Sequence, residues 1–225
     1  MDVYSSASLV AATTSFSVAG FVYLKNRTNP VNYSFSVVTI LAGVWTSFPF
    51  ISSLFIGKDD VALFSARLIH AFAAFVPASF LFLLIHFLQD TTIRPKHGVL
   101  KTSLLISLSF AITTFHPAFI KELWLKPSIY AIQPGLFYHL FALYFIFMCG
   151  YTFYKFYQGY LGASGSKKIQ FRYIMLAFGS AYTGGFLHLI ANYFHVEPIP
   201  HDLFLIAFPT LIAYAIIRHR LMDIR

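Results

Sequence analysis

The stretch Ala62–Leu88 reads ALFSARLIHAFAAFVPASFLFLLIHFL. Arg67 is its only Lys, Arg, Asp or Glu. It is longer than the roughly 20 residues an α-helix needs to cross a hydrocarbon core, so it predicts a transmembrane helix. Arg67 and His70 stand three apart on neighbouring faces, about one turn inside one end. His86 stands near the other end, and Pro77 between them predicts a bend.

Six more apolar runs flank this one. They are Ser5–Leu24, Phe35–Ile56, Val99–Thr114, Pro134–Phe156, Ile169–Tyr193 and Leu203–Ile217. The runs at Val99 and Leu203 are short, and the last is predicted to continue as helix past Arg218. Composition agrees with a polytopic membrane chain. Mean hydropathy is +0.69. Charged residues make up 11%, against about 25% in soluble proteins. The fold class is therefore read as all-α, a seven-transmembrane helical bundle.

Lys and Arg in the connections set the orientation, because cytoplasmic loops carry the positive excess. With the N-terminus outside and the C-terminus cytoplasmic, the inner connections hold Lys25, Arg27, Arg94, Lys96, Lys101, Lys155, Lys167, Lys168, Arg172, Arg218, Arg220 and Arg225. The outer ones hold only Lys58, Arg67, Lys121 and Lys126. Of the acidic residues, only Asp90 and Asp223 fall inside. The net charge of +8 thus lies where anionic lipid would meet it, and nucleic acid is not expected as a partner. No cleavable signal peptide is expected, since Lys25 and Arg27 follow the first apolar run rather than precede it. A multi-pass membrane protein is therefore expected.

Local signals fill in the connections. Pro30 marks the first inner turn, and Pro49 predicts a kink in the second helix. Asp60 is a candidate cap of the third. Trp124, Lys126 and Pro127 suggest an interfacial outer segment with aromatic anchoring. Gly159–Ser166 reads as a flexible linker. In the sixth helix, Ala177, Ala181 and Gly185 form a small-residue stripe suited to close helix contact. Gly184, His188 and Asn192 form a second stripe beside it.

Polar membrane residues gather in the outer half. Arg67 and His70, Tyr138 and His139, and His188 and Asn192 come to similar depth on three helices. Intramembrane charges face the bundle or water, so these six are the candidate ligand-binding residues, with Arg67 as anchor for an anionic or carbonyl-bearing ligand; a small hydrophobic or anionic molecule is the expected partner. The opposing reading makes Arg67 a snorkelling residue and the histidines core hydrogen-bonders. No catalytic residue is assigned, and no metal site or cofactor is expected. His70, His139 and His188 lack HxxxH spacing. No helix core holds a lysine for a retinal Schiff base. No carboxylate lies mid-helix for an ion path, and His86 is the one inner group that could serve transport. Cys149, the single cysteine, reads as core packing.

The chain resembles the N-terminal seven-helix sensor region of bacterial membrane histidine kinases. The resemblance is carried by Asn32 through Trp45, by Arg67-Leu-Ile-His70 with Pro77 and Phe80-Leu-Phe82, by Gln170 and Arg172, and by Pro209 with Ala213-Tyr-Ala-Ile-Ile-Arg-His-Arg-Leu-Met-Asp-Ile224. The last segment is the most specific. In such kinases it feeds PAS or GAF modules or the dimerisation helix. The resemblance implies residues 1–217 as sensor domain and 218–225 as the start of a cytoplasmic exit helix, with the output in cis or in trans. Tyr214, Ile217, Arg218, Arg220, Leu221, Asp223 and Ile224 are the expected signal-output residues. Ile217, Leu221 and Ile224 share one helical seam suited to a homodimer. A stop-transfer anchor explains the same residues. The chain carries no kinase catalytic motif, so it is not expected to be an enzyme. A receptor module is the leading reading. A small transporter or channel, or a bilayer-sensing anchor, is the alternative.

Overall fold

The computed structural model describes residues 3–89, 91–125, 130–194 and 201–219. In chain order its elements are α1 (Val3–Lys25), α2 (Pro30–Thr46), α3 (Phe48–Ser53), α4 (Asp59–Ala73), α5 (Val76–Phe87), α6 (His97–Thr113), β1 (Ile120–Leu125), β2 (Tyr130–Pro134), α7 (Leu136–Gly162), α8 (Gly165–Phe194) and α9 (His201–His219). Taking α2 with α3 and α4 with α5, five helical stretches are long and apolar enough to cross a membrane, and α6 and α9 contain shorter apolar helices. Each expected run is helical.

Proline chemistry divides two of the spans. Pro49 sits second in α3, and the break falls at Ser47. Pro77 sits second in α5, and α4 stops at Ala73. A proline ring collides with the carbonyl four residues back, which here belongs to Trp45 and Ala73. Pro30 acts differently from the expected breaker. It starts α2, and the Asn29 side chain accepts from the backbone N–H groups of Val31 and Asn32, a position where proline loses no helical bond.

The break at Ser47 exposes backbone that lipid cannot hydrate. Ser8 on α1 answers it. Its hydroxyl donates to the Thr46 carbonyl and accepts from the Phe50 N–H. The buried face of α1 is rich in small residues, among them Ser8, Ala11, Ala12, Ser15 and Ala19. A Cβ on Gly43 would meet the Phe16 ring at 2.9 Å, so glycine is what lets these two helices approach.

Two expectations for the connections are corrected. The linker at Gly159–Ser166 is mostly helix: α7 runs to Gly162, α8 opens at Gly165, and only Ala163 and Ser164 join them. Gly165 takes a positive φ of 54° at this sharp reversal. Asp60 does not cap the third span, because α4 begins at Asp59 and its cap position is Lys58, without a side-chain bond.

The loop before α7 contains an antiparallel hairpin that carries Trp124, while Lys126 and Pro127 lie outside the described residues. β1 and β2 pair Leu123 with Ile132, Trp124 with Ala131 and Leu125 with Tyr130. Gly135 closes it, since a Cβ there would lie 2.2 Å from the Ala118 carbonyl oxygen. The hairpin covers the end of the bundle where α3 finishes and α4 starts. That end is called the hairpin end below. The opposite end, where α1 and α9 finish, is the basic end.

The core is aromatic. Phe35, Phe80, Phe178 and Phe208 draw together α2, α5, α8 and α9, with ring centroids 4.6–6.0 Å apart. α8 lies most extensively against α9. Cys149 is a free, buried thiol in this core. The outward faces carry Leu9, Phe16, Leu105, Ile112, Leu143 and Phe147 in the open, which suits lipid and not water.

Candidate functional site

The kink in the second span, the hairpin and α8 converge on one cluster near the hairpin end. His70 is its centre. Only 1% of its surface is exposed. Its Nδ1 lies 2.8 Å from the Ala66 carbonyl, which can only accept, so Nδ1 carries a proton. Nε2 of the neutral ring is then an acceptor, and it has no hydrogen-bond partner. Around the ring stand Phe48, Phe119, Tyr138 and His188, with centroids 5.9–6.5 Å away. A buried acceptor left unpaired costs about 1–3 kcal/mol.

Tyr138 and Asn192 join the cluster as expected. Tyr138 is fully buried, and its hydroxyl accepts from Asn192 Nδ2 at 3.2 Å. His188 lies edge-on to Trp45 at 5.3 Å. The helix 3.6-residue repeat puts Gly185 one turn from His188, and a Cβ on Gly185 would stand 3.3 Å from Trp45 and 3.1 Å from Phe145. The predicted small-residue stripe therefore makes room for two large rings.

Arg67 and His139 take other places. Arg67 is half-buried one turn nearer the hairpin. Its Nη2 donates to the Ile120 carbonyl at 3.1 Å, while its buried Nε has no partner. His139 points to the exposed side of α7. It stacks on Tyr193 at 5.3 Å and is bonded to that hydroxyl at 2.8 Å. Tyr193 in turn touches the Tyr138 ring, 6.1 Å away, so His139 reaches the cluster only through it.

Trp45 was not among the expected ligand residues, and it belongs to the site. It is 6% exposed, and its indole N–H has no partner. With Thr46, Pro49, His188 and Leu205 it lines a void of about 10 Å³, at the lower limit for one water molecule. A tryptophan followed by a proline four residues on was the available signal: the kink withdraws helix backbone beside the indole.

The hairpin is latched over this cluster. The Tyr130 hydroxyl donates to Asp59 and accepts from the Gly57 N–H. The Asp59 bond favours the neutral phenol and holds the Tyr130 pKa above its ordinary value. Gly57 has a φ of +83°, which the turn into α4 requires. Phe119, just ahead of β1, places its ring 5.5 Å from Tyr138.

From the cluster, α8 runs to α9. Ser180 donates to the Phe204 carbonyl at 2.6 Å, a turn ahead of Pro209, which lies inside α9. Phe178 meets Phe208, and near the basic end Tyr173 meets Tyr214 at 5.5 Å. The backbone of Ile217 and Arg218 continues α9. Arg220, Leu221, Asp223 and Ile224 lie outside the described residues. His86 bonds the Phe82 carbonyl at 2.9 Å, a local contact within its own helix. Among the described residues no group of three metal-binding side chains occurs.

A family model described as the N-terminal 7TM region of histidine kinase matches residues 7–225. No curated protein and no solved structure matches the chain.

Proposed function

The chain belongs to the family of N-terminal 7TM regions of histidine kinases, and on that premise we propose how this membrane sensor module works. The hairpin end faces outside, and the basic end lies in the cytoplasm of a bacterial inner membrane. A small hydrophobic or anionic molecule enters beneath the hairpin. It meets Arg67 first and donates to His70. Tyr138, His188 and Asn192 repack around it, and His139 follows through Tyr193. α8 carries the change to α9, whose Tyr214, Ile217 and Arg218, with Arg220, Leu221, Asp223 and Ile224 beyond, act on a cytoplasmic kinase, PAS or GAF output within a homodimer.

The observation that carries this reading is the unpaired Nε2 of buried His70 under a latched cover. An unused acceptor in a dry core stabilises nothing by itself, and a donor-bearing ligand would relieve it. Such a ligand shifts the bundle only if it binds one packing more tightly than the other. The test is autophosphorylation of a kinase core fused behind α9, read in inner membranes. Arg67→Ala and His188→Ala are expected to abolish the response with unchanged expression. A normal response in both variants would remove the site and leave the bilayer as the signal.

A further inference from the structure

α6 and α7 meet at one level and stand apart below it. Phe110 packs on both Phe141 and Tyr144, with ring centroids 5.7 Å apart in each pair. The Tyr144 hydroxyl is shared with Ser103 and Ser107, at 2.7 and 3.1 Å. From there towards the basic end a groove of about 490 Å³ opens between the two helices. Val99 and Ile106 give it an apolar wall on α6, and Phe147 and Met148 one on α7. Lys96 and Thr102 are on its lining as well.

The polar groups at this groove divide into committed and free. Tyr144 and Ser103 are taken up with each other. Lys96 and Thr102 are exposed, and neither side chain has a hydrogen bond, ion pair or ring contact among the described residues. The neighbouring cation Arg94 differs, since its Nη2 lies 3.1 Å from His97 Nε2. The described acidic side chains, Asp59, Asp60 and Glu122, all belong to the hairpin end, and Asp90 lies outside the described residues. Gly98 also lines the groove, and a Cβ there would meet nothing within 4 Å, so the mouth beside Lys96 is open.

We propose that this groove holds one anionic phospholipid, with an acyl chain between α6 and α7 and the phosphate on Lys96. From Gly98 to Ile106 the α6 wall rises about 12 Å, most of one leaflet of a hydrocarbon core about 30 Å thick. A single chain therefore fits its length, and two apolar walls hold it more closely than the open bilayer does. An uncommitted ammonium at the mouth is a partner for a phosphate, and the Thr102 hydroxyl is a donor for the ester oxygens between phosphate and chain. Basic pockets between membrane helices take lipid headgroups in this way. The walls exclude a soluble phosphate compound as the occupant, because water would have to enter an apolar slot with it. The lipid packs beside α6, whose buried face is otherwise only Ser103 and Ser107. The site is separate from the one at the hairpin end.

The test uses the purified chain in phosphatidylcholine nanodiscs with and without phosphatidylglycerol. Native mass spectrometry counts the lipid retained, and amide hydrogen exchange follows His97–Thr113. Phosphatidylglycerol is expected to be retained in preference to phosphatidylcholine and to slow exchange in α6. Lys96→Gln is expected to weaken that retention about fivefold, the effect of one lysine at an anionic surface. Gly98→Phe is expected to reduce it by obstructing the mouth. Lys25→Gln, at the same end but with its Nζ over the Phe21 ring on α1, is expected to leave it unchanged. Inorganic pyrophosphate is expected not to displace the lipid. Equal retention of the two lipids, retention unaltered in both Lys96→Gln and Gly98→Phe, an equal loss in Lys25→Gln, or displacement by pyrophosphate would overturn the proposal.

Discussion

Tyr130 in β2 donates a hydrogen bond from its phenolic hydroxyl to Asp59 in the first turn of α4. This contact joins residues far apart in sequence and pins the hairpin to the rim of the bundle. The same hydroxyl accepts from Gly57, so one side chain fastens the cover to the turn that leads into the third span.

Tyr130→Phe removes both bonds and keeps the ring. Amide hydrogen exchange in Ile120–Leu125 is expected to speed up, with α2 and α5 unchanged. The pH dependence has a definite sign. The phenol is held above its ordinary value of 10.0, chiefly by the Asp59 bond. A raised value means the native protein keeps its proton longer than the unfolded chain. The latch is therefore fully present below pH 10 and is lost as pH rises through the raised value. Protection that already falls between pH 6 and 9 would contradict this assignment.

Ser8→Ala strips the break at Ser47 of its two bonds to Thr46 and Phe50. Unpaired backbone groups within a bilayer have no water to turn to. The expected loss is about 1–3 kcal/mol, read by thermal unfolding in detergent. Ser17→Ala, on the exposed face of the same helix, is the control and should leave stability unchanged.

Two glycines are expected to respond in opposite directions. Gly185→Leu drives a side chain between Trp45 and Phe145, and overpacking of this kind typically costs about 1–3 kcal/mol. The Trp45 emission should shift as the ring is displaced, measured in a Trp124→Phe background to leave one tryptophan. Gly150→Ala, mid-helix in α7 with nothing within 4 Å of the new Cβ, should instead stabilise by roughly 0.5–1 kcal/mol.

The seven apolar runs were legible because hydropathy and helix length are local properties, and so were the breaks before Pro49 and Pro77. The hairpin was not. Its strands are short, and its stability comes from partners such as Gly57, Asp59 and Ala118 that local periodicity does not reveal. Depth along the helices brought His70, Tyr138, His188 and Asn192 together correctly. It did not separate His139, because depth ignores the 100° turn between neighbours, and that turn sends His139 outward while Tyr138 faces in. The Asp60 cap failed for a similar reason: α4 begins one residue early, at Asp59.

α6 is expected to be the most weakly held span. The buried part of its face is Ser103 and Ser107, and both meet the Tyr144 hydroxyl, at 2.7 and 3.1 Å. Tyr144→Phe removes that shared contact. The serines can turn to their own helix carbonyls, so the expected loss is only about 1 kcal/mol. Hydrogen exchange should rise across His97–Thr113 and not in α7.

His70→Phe separates a functional histidine from a structural one. The ring sits among Phe48, Phe119 and Tyr138, and a phenyl group of similar shape fits the same space. It loses the Ala66 contact but removes the unpaired Nε2 as well. Replacing a polar group together with its unmet need by an apolar isostere is near neutral or stabilising. The melting temperature should therefore hold or rise. The signalling response of the fused kinase should vanish, because the acceptor offered to a ligand is gone. A large drop in melting temperature would make His70 a structural hydrogen-bonder, and a retained response at normal stability would remove it from the ligand site.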